Sequence, residues 1–99
     1  MKAGIIGLGH GSRVLIDSFK LSKVKIEGIA SKNFINAKKI GQQKKIPIVF
    51  KNWKTLVRSS TIDIVAIAVP ALYQYEILKE CIKYKKIILC EKPILIKKI

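Results

Sequence analysis

Six consecutive residues, Gly7-Leu8-Gly9-His10-Gly11-Ser12, have the types and spacing to hold a phosphate-bearing ligand. They follow an apolar run and open a stretch of helical periodicity. Gly7 supplies a tight turn, and Gly9 lets the backbone approach a pyrophosphate with no Cβ in the way. Ser12 holds the third position, where Gly or Ala lets the helix pack close to the sheet. Serine adds one oxygen to that site and loosens the match. N–H groups and the dipole at the helix start favour phosphate anions. His10 is either a donor to phosphate or an exposed loop histidine. Arg13 stands in the first helical turn, where a cation is mildly unfavourable; a bound phosphate would offset that cost, and a plain surface arginine is the alternative. Glycines alone also make simple structural turns, but between a strand and a helix they point to a nucleotide.

Selection between nucleotides falls to the end of the second strand, Ala30-Ser31-Lys32-Asn33. An NAD site places a carboxylate there, about 20 residues past the glycines, to accept from the ribose 2′-OH. No carboxylate is present, and Glu27 lies too far inside the strand to substitute. Ser31 can hydrogen-bond a 2′-phosphate and Lys32 can neutralise it, so NADP is favoured over NAD. The plainer role for Ser31 is to cap the following helix.

Placing these residues together requires an alternating fold. Lys2–Ile6 reads as a buried strand, followed by a helix from Ser12 to about Leu21. Val24–Ala30 is the second strand. Asn33 caps a helix with Phe34, Ala37 and Ile40 on one face and Gly41 near its end. Pro47–Phe50 is a brief third strand, and Asn52 caps a short helix carrying Trp53 and Leu56, with Trp53 read as packing. Asp63–Val69 is the most apolar segment, a central strand buried on both faces and stopped by Pro70. Leu72 to Tyr84 is an amphipathic helix with Leu72, Tyr75, Leu78, Cys81 and Ile82 inward, and Lys86–Cys90 is the fifth strand. Five strands alternating with helices imply right-handed crossovers and a parallel sheet. The expected architecture is an α/β, Rossmann-type doubly wound sheet in order 3-2-1-4-5, with its crevice beyond the carboxyl ends of strands 1 and 4.

Composition sets the outer bounds. Ninety-nine residues make one domain at most, and 49 % hydrophobic content is too high for disorder. The longest apolar run, Ile64 to Pro70, is far below the ~20 residues of a membrane span, and the N-terminus lacks a signal-peptide pattern. Cys81 and Cys90 have no CxxC spacing, which suits neither zinc nor a disulfide framework; packed, reduced thiols and a cytoplasmic setting are expected. The net charge of +14 raises the question of nucleic acid. Lysines, however, are scattered, and arginine occurs only as Arg13 and Arg58, so a solvated basic surface is the better reading.

One further motif, Cys90-Glu91-Lys92-Pro93, follows the fifth strand. With Gly7-Leu8-Gly9, Gly11-Ser12-Arg13, Ala30-Ser31-Lys32 and Ile67-Ala68-Val69-Pro70, it gives the chain a resemblance to the N-terminal domain of the glucose–fructose oxidoreductase / inositol dehydrogenase family (Gfo/Idh/MocA). The resemblance covers nearly the whole chain, and Glu91-Lys92-Pro93 is its most specific part. It implies that Lys92 is the catalytic lysine beside the nicotinamide, where partial desolvation and a cationic ring lower its pKa and suit proton exchange. It implies that Glu91 contacts the nicotinamide ribose and that Pro93 fixes the backbone aiming Lys92. The family's Thr-Pro-Asn turn after strand 4 is Val69-Pro70-Ala71 here, so contacts at Val69 and Pro70 rely on backbone. Gln74 stands where the family often has histidine.

The resemblance also implies a second α/β domain carrying the substrate wall. Residues 1–93 are therefore expected to form an NAD(P)-binding domain and 94–99 a truncated apolar and basic tail. The implied function is cofactor binding for an oxidoreductase acting on sugar or polyol hydroxyls, incomplete as an enzyme on its own. A sugar-like substrate is expected only with that second domain. The competing reading is a non-catalytic interaction module that self-associates through its sheet edge and tail.

Overall fold

The structure, a computed structural model, describes residues 1–7, 16–17, 19, 22 and 24–90. Ile16, Asp17 and Phe19 of the first predicted helix are helical. Gly9, His10, Gly11, Ser12, Arg13, Glu91, Lys92, Pro93 and the tail to Ile99 lie outside the described residues.

Strands β1 (Lys2–Ile6), β2 (Lys25–Ala30), β3 (Ile48–Phe50), β4 (Ile64–Ile67) and β5 (Ile87–Cys90) form one sheet in the order β3-β2-β1-β4-β5. Every pairing is parallel. The described helices are α1 (Phe34–Gln43), α2 (Trp53–Arg58) and α3 (Ala71–Lys83). This is the doubly wound architecture that the alternating periodicity implies.

Alternation along the strands divides the core in two. Ile6, Ala30, Val65 and Ile67 point to the face covered by Leu56 and Val57 of α2 and by Ile77 and Cys81 of α3. Ile5, Ile29 and Ala66 point to the other face, against Ile16 and Phe19, with Ile40 of α1 packed at its margin. A period of two in the strands forces this division, because successive side chains leave opposite sides of the pleat. Asn33 and Asn52 cap as expected: each side-chain oxygen accepts from a backbone N–H three residues on, at Asn36 and Thr55. Asn52 also accepts from the Thr55 hydroxyl. Such caps satisfy N–H groups that the helix itself leaves without acceptors.

Other expectations need correction. Helix α3 buries Gln74, Ile77 and Cys81, whereas Leu72, Tyr75 and Ile82 are 82 %, 60 % and 69 % exposed. Its phase is thus about one residue from the apolar row that the sequence offers, because a polar side chain occupies the sheet-facing position at 74. Helix α1 runs past Gly41 to Gln43, and the left-handed residue ending it is Lys45, with φ of 57°. Gly41 instead lets β3 come close: a Cβ there would lie 2.8 Å from Val49 Cγ2. Strand β4 is shorter at both ends than Asp63–Val69. β5 begins at Ile87, and the Lys86 ammonium donates to the carbonyls of Ser59 and Ile62, tying the sheet edge to the α2–β4 connection. Nearby, Arg58 of α2 meets Glu80 of α3 at 3.3 Å.

The α2 crossover passes over the middle of the sheet because Gly4 admits it. A Cβ at Gly4 would sit 2.7 Å from Leu56 Cδ2, and Leu56 is wholly buried. Gly4→Ala should lower unfolding free energy by about 1–3 kcal/mol, and Leu56→Ala by about 2–5 kcal/mol. The two losses should not add, since removing Leu56 opens the space that an alanine at 4 needs. Urea denaturation of the two single variants and the double variant measures this coupling.

Candidate functional site

The chain leaves β1 between the ends of its two neighbours. Gly7 N–H donates to the Ala30 carbonyl at 2.8 Å, and Ala68 N–H donates to the Ile6 carbonyl at 2.8 Å. Gly7 has φ of +100°, and a Cβ there would fall 2.5 Å from the Ala68 carbonyl oxygen. Both the dihedral and the space therefore demand glycine. The turn that the sequence assigns to Gly7 starts here, at the carboxyl ends of β1, β2 and β4.

A cleft of about 800 Å³ opens over these ends. It brings together Gly7, Ser31, Lys32, Val69 and Pro70 from the set singled out in the sequence. Ser31 Oγ accepts from the Asn33 N–H at 3.2 Å, so it braces the turn before α1, while the N-cap of that helix is Asn33 and not Ser31. That bond uses a lone pair and leaves the hydroxyl hydrogen to donate. The Lys32 ammonium lies 3.8 Å from the centroid of the Tyr73 ring. Glu27 stands at an extra residue in β2, where the β1–β2 register shifts, and pairs with Lys2 at 3.3 Å. It is committed away from the cleft.

On the β4 side the turn is held from below. Gln74 is 6 % exposed, and its Nε2 donates to the Val69 carbonyl at 3.0 Å. Gln74 Oε1 has no partner among the described residues. Pro70 is the N-cap of α3 and gives no side-chain cap; Val69 and Pro70 both line the cleft.

Sequence reasoning missed the wall that the β3–α2 connection and Leu72 build. It marked Tyr73 only as a residue able to supply polarity at the turn after β4 or to pack. Lys51, Asn52, Trp53 and Lys54 line the cleft from the β3–α2 connection, and Leu72 and Tyr73 line it from α3. Trp53 also packs on the core, which is the role assigned to it from sequence. The usable signal was position: Lys51 follows a strand that pairs in parallel with β2, so it must emerge beside Ser31. Three lysines share this cleft with a single carboxylate among its described lining, Glu76. Apolar walls with a cationic rim suit a flat heterocycle bearing phosphate. Among the described residues there is no cluster of His, Cys, Asp or Glu suited to a metal, and no helix long and apolar enough to cross a membrane.

Residues 1–98 match the family described as an oxidoreductase family with an NAD-binding Rossmann fold, Gfo/Idh/MocA. No curated protein matches the chain. Among solved structures, an NAD-binding oxidoreductase from Klebsiella pneumoniae superposes with a TM-score of 0.88 at 20 % identity, over 95 % of this chain and 27 % of that one. Scyllo-inositol dehydrogenase from Lactobacillus casei, with NAD(H) and scyllo-inositol, gives 0.85 at 23 % identity, over 95 % and 28 %. A Desulfitobacterium hafniense protein described as an NADPH-dependent oxidoreductase gives 0.86 at 25 % identity, over 97 % and 28 %. The chain thus spans a little over a quarter of the length of these structures.

Gly7→Ala tests the turn itself. It should cost about 1–3 kcal/mol from the dihedral alone, and more from the contact with the Ala68 carbonyl. A thermal unfolding midpoint equal to that of the parent chain would contradict this geometry.

Proposed function

The chain belongs to the Gfo/Idh/MocA oxidoreductase family, and we propose that it carries the dinucleotide-binding share of a dehydrogenase acting on a sugar or polyol hydroxyl. The observation that carries this reading is the Gly7 turn opening onto a cleft whose rim bears three lysines. The fold puts that turn at the switch point of a doubly wound sheet, where ligands of such folds bind.

The assigned roles follow from chemistry. Gly7, Gly9, Gly11 and Ser12 give the diphosphate its backbone donors, with His10 and Arg13 as side-chain donors. Ser31 and Lys32 take the ribose 2′-phosphate, because the only acid in β2, Glu27, is held by Lys2. Val69 and Pro70 offer backbone edge on the opposite side. Glu91 holds the nicotinamide ribose, and Lys92 exchanges a proton with the substrate oxygen. When bound, the dinucleotide supplies the hydride acceptor or donor. NADP is the favoured form: Ser31 retains a hydroxyl proton and Lys32 an ammonium charge where an NAD site needs a carboxylate acceptor. Sugar or polyol as substrate is supported by the scyllo-inositol complex among the structural neighbours.

Hydride transfer needs substrate held in near-attack geometry as well as bound cofactor. With about 28 % of its neighbours' length, the chain is assigned cofactor binding, with residues 1–93 as the binding unit and turnover dependent on a substrate domain.

Titrating NADPH and NADH into the purified chain, with nicotinamide fluorescence as readout, should give saturable binding of both. NADPH should bind more tightly, and the difference should shrink as salt screens the lysines. Absence of binding at millimolar cofactor, in a chain folded by circular dichroism, would overturn the proposal.

A further inference from the structure

Lys32 has no carboxylate or carbonyl partner among the described residues, yet it is not left to wander. Its ammonium rests 3.8 Å from the Tyr73 ring centroid, much closer than the other lysine–aromatic contacts among the described residues, which lie at 5.1 Å or beyond. Lys32 follows β2 and Tyr73 begins α3 after β4, so the contact bridges the two strand ends that flank Gly7. Lys51 and Lys54 reach the same cleft from the β3–α2 connection. Glu76, also on the cleft, lies 3.8 Å from Lys79. Among the cleft's described lining, cationic charge therefore exceeds anionic charge.

We infer that Tyr73 is the positioning residue of a phosphomonoester pocket at the cleft mouth, holding Lys32 so that the cleft selects adenine nucleotides with a phosphate on the ribose. The inference rests on the dinucleotide reading and adds its specificity element. A free lysine loses much rotamer freedom when it engages a phosphate. Resting the ammonium on a ring face meets part of that loss before the ligand arrives, which is how preorganisation raises affinity. An ammonium resting on a ring face keeps N–H donors to spare, so it can take a phosphate oxygen while the ring contact is retained. Tyr73 is 45 % exposed, so its role at the cleft is separable from core packing.

The chain's single tryptophan, Trp53, lines the cleft and reports on occupancy through its own fluorescence. The 99-residue chain is titrated with adenosine 5′-monophosphate and with adenosine 2′,5′-bisphosphate. The same titrations are run on Tyr73→Phe, Tyr73→Leu, Lys32→Gln and the Tyr73→Leu/Lys32→Gln pair. In the parent chain the bisphosphate should bind about tenfold more tightly. Tyr73→Leu should cut that ratio by about threefold or more, and Tyr73→Phe, which keeps the ring face, should preserve it. In the Lys32→Gln background, Tyr73→Leu should change the ratio no further, because the two act through one contact. A ratio unmoved by Tyr73→Leu overturns the inference, whatever happens to the two affinities together. So does a parent chain that binds both nucleotides equally. A folded parent chain that binds neither nucleotide, nor NADPH, overturns the dinucleotide reading itself.

Discussion

One backbone constraint governs the rest: the chain must leave the central strand through a gap that only glycine fits. At Gly7 the amide is already given to the Ala30 carbonyl, and the Ala68 carbonyl occupies the place of a Cβ. The sheet fixes both neighbours, because β1 is paired in parallel on each side and its register is held by Ile5 and Ile6 entering opposite cores. The connection into β2 and the connection into β4 cover opposite faces of the sheet. The cleft opens beside that gap, and Gly7, Ser31, Lys32, Val69 and Pro70 meet there.

Much of this was legible because it is local. Alternation in β1 and β2, the unbroken apolar run of β4, and asparagine caps at 33 and 52 each express chemistry among near neighbours. Strand order followed from βαβ handedness once the elements were identified. The phase of α3 was not legible. Leu72, Tyr75 and Ile82 form a convincing apolar row, and the helix turns it outward because Gln74 is drawn in to the Val69 carbonyl. That bond depends on the path of the turn before the helix, which no periodicity records. Trp53 was legible as an aromatic residue but not as a cleft wall, since it reaches the cleft only through the pairing of distant strands.

Charge shows the same division. Along the sequence the lysines are scattered, and the composition alone suggests a diffuse basic surface. Parallel pairing redistributes them. Ala30 is registered against Phe50, so Ser31-Lys32 and Lys51 emerge side by side at the same edge of the sheet. A modest local surplus of positive charge thus arises from topology, without any basic cluster in the sequence. It sits where a phosphate-bearing ligand would meet it, with apolar surface behind.

Lys86 is a lysine of another kind. Its ammonium is enclosed by the carbonyls of Ser59 and Ile62, where it fastens the start of the outermost strand to the loop before β4. Acetylation would remove the charge and leave a single N–H where the clasp uses two carbonyl acceptors. Blanket lysine labelling is therefore a poor way to probe this basic chain: it would loosen the sheet margin and mimic a loss of ligand affinity whose origin lies elsewhere.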